Sequence, residues 1–184
     1  MVKETKMKFL DLIKSRESIR SYTKQPVDHE MVQLILEAGR VAPTGANRQP
    51  QRFIVINDID GMEKVNKAAN TFHAPLVIII CADHTKSWKR SYDRKDIADI
   101  DASIATTHIM LQATEYGLGS VWICHFDPVV IQKEFNIPAN IEPVNILAIG
   151  YADVDAKPVT RFDEERRPLR DFVSYGTFGN TNQD

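Results

Sequence analysis

Three side chains near the start of the chain, Arg16, Ser18 and Arg20, have the types and spacing to grip an anion. Alternate side chains of an extended backbone share a face, so two guanidinium groups and a hydroxyl can converge on one ligand. A phosphate suits them, because arginine offers fixed, charge-assisted and often bidentate donors. A solvated basic loop would carry the same R-x-S-x-R pattern, and the motif alone leaves both readings open. Further along, residues 42–50 run Ala-Pro-Thr-Gly-Ala-Asn-Arg-Gln-Pro. Small residues and Gly45 let backbone approach a flat ring, while Asn47 and Gln49 supply amides that both donate and accept. Read in isolation this is a Pro/Gly loop with an Asn cap; paired with the first motif it is far more specific.

Other reactive side chains form no such constellation. His73, His84 and His108 lack the spacing of metal ligands, and His108 shares an apolar stripe with Ile104 and Leu111, as a packed core histidine would. Residues 84–90 read as a solvated loop, with a basic patch for a nucleotide phosphate as the alternative. Cys81 and Cys124 lie in runs that read as buried strands without CxxC spacing, which points to a reduced protein. Trp88 and Tyr92 fit either an aromatic lid or buried packing. No G-x-G-x-x-G follows a strand signal, so a Rossmann nucleotide site is not expected.

The elements that must position these groups follow from apolar periodicity. Met7, Leu10 and Ile13 predict a helix ending near residue 15. Asp28 caps a second, with Met31, Leu34, Ile35 and Ala38 on one face and a stop near Gly39. Strands are predicted over residues 52–57, 75–82, 119–124 and 144–150, the second buried on both faces because its β-branched run does not alternate. Asp60 with Glu63 reads as a capping box opening a helix to about Ala69. A long helix over 96–116 places Ile97, Ile100, Ile104, His108 and Leu111 on one stripe, with Gly117 just past its end. Asp127 and Pro128 start a short helix through Phe135. With 184 residues, 43% of them hydrophobic, this mixture predicts one domain over 1–184 with a polar tail from about residue 174. The net charge of -2 gives no field to gather nucleic acid. The longest apolar run, residues 74–82, is about half a membrane span, and no apolar run follows the charged first residues, so a cytoplasmic protein is expected.

Taken together, the two motifs and the strand from Phe53 resemble the nitroreductase family, whose members carry R-x-S-x-R-x-[FY] and then A-P-[ST]-G-x-N-x-Q-P. The resemblance continues through residues 74–83, 117–127 and 150–158. It implies an α+β fold, a central and mostly antiparallel sheet of four or five strands flanked by helices, in an intertwined homodimer whose C-terminal tail extends over the partner. It also implies FMN as cofactor. Arg16, with Glu17 beside it, and Ser18 would hold the phosphate, Arg20 would lie near flavin N1 and O2, and Arg161, or less directly Lys157, would reach the phosphate from after the last strand. Pro43, Thr44, Gly45, Asn47 and Gln49 would approach the flavin held mainly by the other subunit, Asn70 would supply a further amide, and backbone at Cys124 or His125 would face N5. Two positions depart from the family pattern: the pair Cys124-His125, where small residues are frequent, and Gln51, where the family often has Trp. The implied activity is hydride transfer from NAD(P)H through the flavin to a small electrophilic acceptor, with no catalytic side chain. Alternatives on the same fold are an FMN enzyme with a narrower reaction, such as dehalogenation, enone reduction or dehydrogenation, and a flavin-binding protein without turnover.

Overall fold

The computed structural model describes residues 8–181. A four-stranded sheet in the order β1-β2-β4-β3 forms the centre, from β1 (Gln51–Ile56), β2 (Leu76–Asp83), β3 (Gly119–Ile123) and β4 (Ile141–Gly150), with every neighbour antiparallel. Among the described residues six helices flank it: α1 (Phe9–Ser15), α2 (His29–Arg40), α3 (Ile59–Asn66), α4 (Ala98–Glu115), α5 (Pro128–Glu134) and α6 (Arg161–Glu165). The expected α+β architecture is thus present, with four strands.

The β2 run explains why the sheet is covered on both sides. Leu76, Ile78 and Ile80 pack with Val32 and Ile35 of α2 and Ala102 and Ile109 of α4. Val77, Ile79 and Cys81 point the other way, toward Val65 of α3 and Ile131 of α5. Ile78, Ile79 and Ile80 are fully buried, and each contributes roughly 2–3 kcal/mol relative to an exposed position. An Ile79→Ala cavity would therefore cost about 2–5 kcal/mol.

Two helices, α3 and α5, start on a side-chain cap, whereas Asp28 stands at the N-cap of α2 as expected but its carboxylate makes no capping bond. The Asp127 carboxylate accepts from Val129 N–H (2.9 Å) and Val130 N–H (3.1 Å), as its position before Pro128 predicts. At the end of α4, Gly117 N–H donates to Thr114 C=O and Leu118 N–H to Ala113 C=O, while Gly117 has φ +74°. That pairing needs a left-handed residue past the helix, which is why glycine stands there. The cap of α3 differs from expectation. Asp58, two residues before Asp60, accepts from Gly61 N–H at 2.8 Å, so the helix begins at Ile59 and stops at Asn66, short of Ala69.

Helix α4 brings the largest departure. Its buried face is Ala98, Asp101, Ala102, Ala105, Thr106, Ile109 and Ala113, not the bulkier stripe of Ile100, Ile104, His108 and Leu111. Small residues let α4 lie close to the sheet and to α2, leaving the branched side chains outward. His108 is half-buried and lines a surface groove with Phe9, Leu12 and Leu111 instead of packing in the core. On α2 the buried positions are Val32, Ile35 and Gly39, and Leu34 is exposed. Met7 lies outside the described residues.

Candidate functional site

The segment carrying the first motif lies extended along the β3 edge of the sheet. Ile19 N–H donates to Ser120 C=O (3.0 Å), Thr23 N–H to Tyr151 C=O (2.9 Å), and Asp153 N–H to Ser21 C=O (3.0 Å). Ser18 pairs with Ser120 and Tyr22 with Ala152 as isolated bridges. The half-buried Tyr22 hydroxyl lies 2.7 Å from Ile19 C=O and 3.1 Å from Ala148 C=O of β4, and so ties the segment to the sheet. Close approach needs Gly119: a Cβ there would lie 2.6 Å from Ile19 Cγ1.

This backbone presents Arg16 as a half-buried cation and Ser18 and Arg20 as exposed groups. Burial, together with neighbouring Arg161 and Arg166, pulls the Arg16 pKa down, and Glu17 opposes the shift. Its guanidinium makes no hydrogen bond or salt bridge among the described residues. Arg161 is anchored by donating to Lys14 C=O (3.2 Å), Arg16 C=O (3.1 Å), Lys157 C=O (3.3 Å) and Pro158 C=O (3.0 Å). The Arg161 and Arg166 guanidinium groups stand 4.3 and 5.6 Å from the centroid of the Phe162 ring. Glu17 accepts from Lys157 N–H at 3.2 Å, so it ties the same loop down. Arg161 and Arg166 are thereby held near Arg16, with the Glu17 carboxylate beside it, next to a groove of about 230 Å³ lined by Arg16, Glu17, Gly117 and Gly119. Like charges concentrated in this way favour an anion.

Arg20 reaches toward the turn after α3, its guanidinium 6.0 Å from the Phe72 ring centroid. Asn70 shapes that turn by accepting from Phe72 N–H at 2.9 Å, and Phe72 and His73 both adopt positive φ. Asn70 thus shapes the turn whose Phe72 ring faces Arg20. Cys124 and His125 follow the end of β3 and are exposed. Cys124 is accordingly not in a buried strand as its apolar run suggested, whereas Cys81 is buried and its thiol is pushed up to about 12.

The second motif occupies the opposite edge of the sheet, just before β1. Asp101 of α4 accepts from Gly45 N–H at 2.9 Å, and Thr44 Oγ1 accepts from Gln49 N–H at 3.0 Å. Gln49 Nε2 donates to Asn47 C=O (3.0 Å), while Ala46, Asn47 and Gln49 all have positive φ. Such conformations persist only when the surroundings over-determine them. A Cβ at Gly45 would meet Ile97 Cδ1 at 2.4 Å and Trp88 Cβ at 3.1 Å, so the loop sits tight on the segment before α4. Pro43 is exposed at its rim.

Within one chain the motifs are not brought together. Gly45 is bonded to Asp101 near the start of α4, whereas Arg16 shares its groove with Thr114 near the end. At 1.5 Å per residue these points on the helix are roughly 20 Å apart. Residues 84–97 also resolve the earlier alternatives. His84, Lys86, Lys89 and Arg90 each face a carboxylate, from Asp96 and Glu142, Asp83, Asp96 and Asp93 respectively, so no basic patch stands free. Trp88 is half-buried against Gly45, and Tyr92 is 96% exposed.

Arg166, Phe72 and Asp101 belong to these constellations and were not singled out from sequence. For Asp101 a signal existed, since it is an acidic residue amid the apolar spacing of α4. Arg166 and Phe72 are placed by loops whose course has no periodic signature.

The chain matches the sequence profile of the Nitroreductase family over residues 13–72 and 64–151. The fold superposes with a TM-score of 0.91 on the crystal structure of a nitroreductase family protein from Clostridium difficile 630, at 48% identity, covering 94% of this chain and all of that one. An FMN-dependent nitroreductase from Clostridium difficile R20291 follows at 30% identity and TM-score 0.74, covering 92% of this chain and 100% of the other. A protein of Methanothermobacter thermautotrophicus, named as a candidate NADH dehydrogenase/NAD(P)H nitroreductase, is 31% identical over 172 residues, 89% of this chain and 87% of its own length. The chain belongs to the Nitroreductase family, and with it to the oxidoreductases.

Proposed function

We propose that the chain is an FMN-dependent oxidoreductase, active as a homodimer, that takes hydride from NAD(P)H and delivers it to a small electrophilic acceptor such as a nitroaromatic or a quinone. The observation that carries this reading is Arg16: a half-buried guanidinium without a hydrogen-bond partner, repelled by Arg161 and Arg166 and flanked by the free hydroxyl of Ser18. A phosphate dianion would relieve that repulsion and accept from both groups. The cradle therefore fits the phosphate of a flavin mononucleotide, and names of relatives point the same way, one being an FMN-dependent nitroreductase and one an NAD(P)H nitroreductase candidate.

Bound flavin supplies a ring nitrogen that accepts a hydride and gives it up again, which removes the need for a protein acid or base in that step. The residues of this chain hold and orient. Arg16 and Ser18 would hold the phosphate, Arg161 fixes the loop beside them, and Arg20 would provide a fixed positive charge where the ring gains electrons. Phe72 and Asn70 support Arg20. The 43–49 loop, rigid and almost uncharged, approaches the ring from the second copy.

Apolar surface supports the dimer. Phe9 and Leu10 of α1, Leu34 of α2 and Ile100 of α4 are each about half exposed or more, and with the grooves beside Ile104 and Leu111 they make a face that one chain leaves uncovered. No helix among the described residues is long and apolar enough to cross a membrane.

Absorbance of the purified protein together with an FMN titration tests the proposal. Saturable binding, bleaching by NADH or NADPH and reoxidation by a nitroaromatic are expected. A protein with no saturable FMN binding contradicts it; flavin reduced but not reoxidised by that acceptor points instead to a narrower reaction, and flavin not reduced by either nucleotide to binding without turnover.

A further inference from the structure

Away from the cradle, three segments distant in sequence bring metal-binding side chains to one point. His84 follows β2, Asp99 lies in the first turn of α4, and Glu142 is the second residue of β4; one ligand atom from each lies within 4.8 Å of the others. We propose that His84, Asp99 and Glu142 form a binding site for one divalent first-row transition ion, with Zn²⁺ as the probe.

The histidine is oriented for the task. Asp96 Oδ2 stands 3.1 Å from Nδ1, which leaves Nε2 directed at Glu142 Oε2, 2.7 Å away. Asp96 is itself fixed, its Oδ1 accepting from Ala98 N–H at 2.9 Å and its Oδ2 lying 3.6 Å from Lys89 Nζ. A carboxylate on one ring nitrogen that aims the other at the ion is the arrangement metal-ligating histidines use. Asp99 makes no hydrogen bond or salt bridge among the described residues, although it lies beside Glu142 and His84. Three carboxylates, of Asp96, Asp99 and Glu142, thus surround one imidazole with Lys89 as the cation in reach, an excess of negative charge that a divalent ion offsets.

Donor types select the ion. One imidazole nitrogen with two carboxylate oxygens suits Zn²⁺ and its first-row neighbours, whereas Ca²⁺ seeks six to eight oxygens. Three protein ligands leave a fourth position for water, and exposure of Asp99 and Glu142 beside the half-buried His84 provides an entry path. Chain spacing could not reveal the set, since its members come from two strand ends and a helix start. Occupancy would tie the start of the 84–97 segment to α4 and β4, and Gly45 rests on that segment through Trp88 and Ile97.

The test is calorimetric titration of ZnCl₂ into the tag-free, full-length protein stripped with EDTA, which requires no bound flavin. One saturable site per chain is expected, lost in His84→Ala and at least tenfold weaker in Asp99→Asn and Glu142→Gln. Asp96→Asn should bind roughly 10- to 100-fold more weakly, the usual cost of removing the partner of a ligating histidine. Millimolar Ca²⁺ should not compete. Absence of saturable binding overturns the proposal, as does binding that survives Asp99→Asn and Glu142→Gln, which would belong to His29, His73, His108 or His125. Equal affinity for Ca²⁺ overturns it too. Should His84→Ala fail to fold, nitrogen-detected NMR of the parent protein decides: Zn²⁺ must shift His84 Nε2, and an unmoved resonance contradicts the site.

Discussion

The arginine cradle and the 43–49 loop are built on opposite principles. In the cradle, Arg161 and Arg166 repel Arg16, whose guanidinium has no hydrogen-bond partner among the described residues, and Ser18 and Arg20 stay exposed. In the loop, hydrogen bonds from Gly45 to Asp101 and among Thr44, Asn47 and Gln49 are made internally, and three non-glycine residues are locked at positive φ. One region is short of an anion. The other is finished, rigid and short of something to press against. α4 separates them by roughly 20 Å in one chain, a contrast that accords with the proposal that each is half of a site completed by a second, twofold-related copy.

Substitutions in each region and on the face between copies have separable consequences. The largest effect is expected from Ile100→Arg, which puts a charge on the uncovered face of α4 without disturbing the monomer core, Ile100 being exposed there. Burying that charge unpaired between two copies costs about 3–5 kcal/mol, so sedimentation should show monomers and flavin binding should fall together. Arg16→Ala comes next. Losing a charge-assisted contact to phosphate costs about 1.5–3 kcal/mol, which is about 10- to 100-fold in the FMN Kd, while calorimetric stability of the flavin-free protein should stay level or rise as repulsion with Arg161 and Arg166 is relieved. A parallel loss of stability would make Arg16 a structural residue.

Asp101→Leu should have a smaller effect, about 1–3 kcal/mol from stranding the Gly45 N–H. Asp101→Asn retains the acceptor and should restore flavin affinity. It also removes a carboxyl whose pKa burial holds above the ordinary value, so the parent, unlike the Asn variant, should lose a little stability as pH rises through the range just above the usual carboxylate pKa. Thermal melts of both proteins across that range check the sign.

Much of this was legible in the residues. The unbroken Leu76–Ile80 run read as a strand buried on both faces and is one, and Gly117 ends α4 in the left-handed conformation its position required. The two motifs pointed to their backbone shapes as well, since a Pro/Gly loop with Asn47 and an alternating Arg-x-Ser-x-Arg segment are local matters. The face of α4 was misassigned because periodicity reports that Ile100, Ile104 and Leu111 form a stripe without saying whether that stripe meets its own sheet or another chain. Small Ala102 and Ala105 were the better guide to the core, as they permit close packing. Asp58 displaced Asp60 as a cap for a similar reason: two acidic residues compete at the start of α3, and only the chain's entry from β1 decides between them. Arg166 and Phe72 are brought in by irregular turns that no spacing rule anticipates.

The claim that two chains share each site is tested most directly by complementation. Arg16→Ala damages only the cradle, and Pro43→Trp adds bulk only at the exposed rim of the loop; co-expressed, the two variants pair at random. A mixed dimer then carries one site with both lesions and one with neither, so about one quarter of all sites should bind FMN as in the parent, although neither variant alone does. If the co-expressed preparation binds no more flavin than its two components, each site belongs to a single chain and the account is wrong.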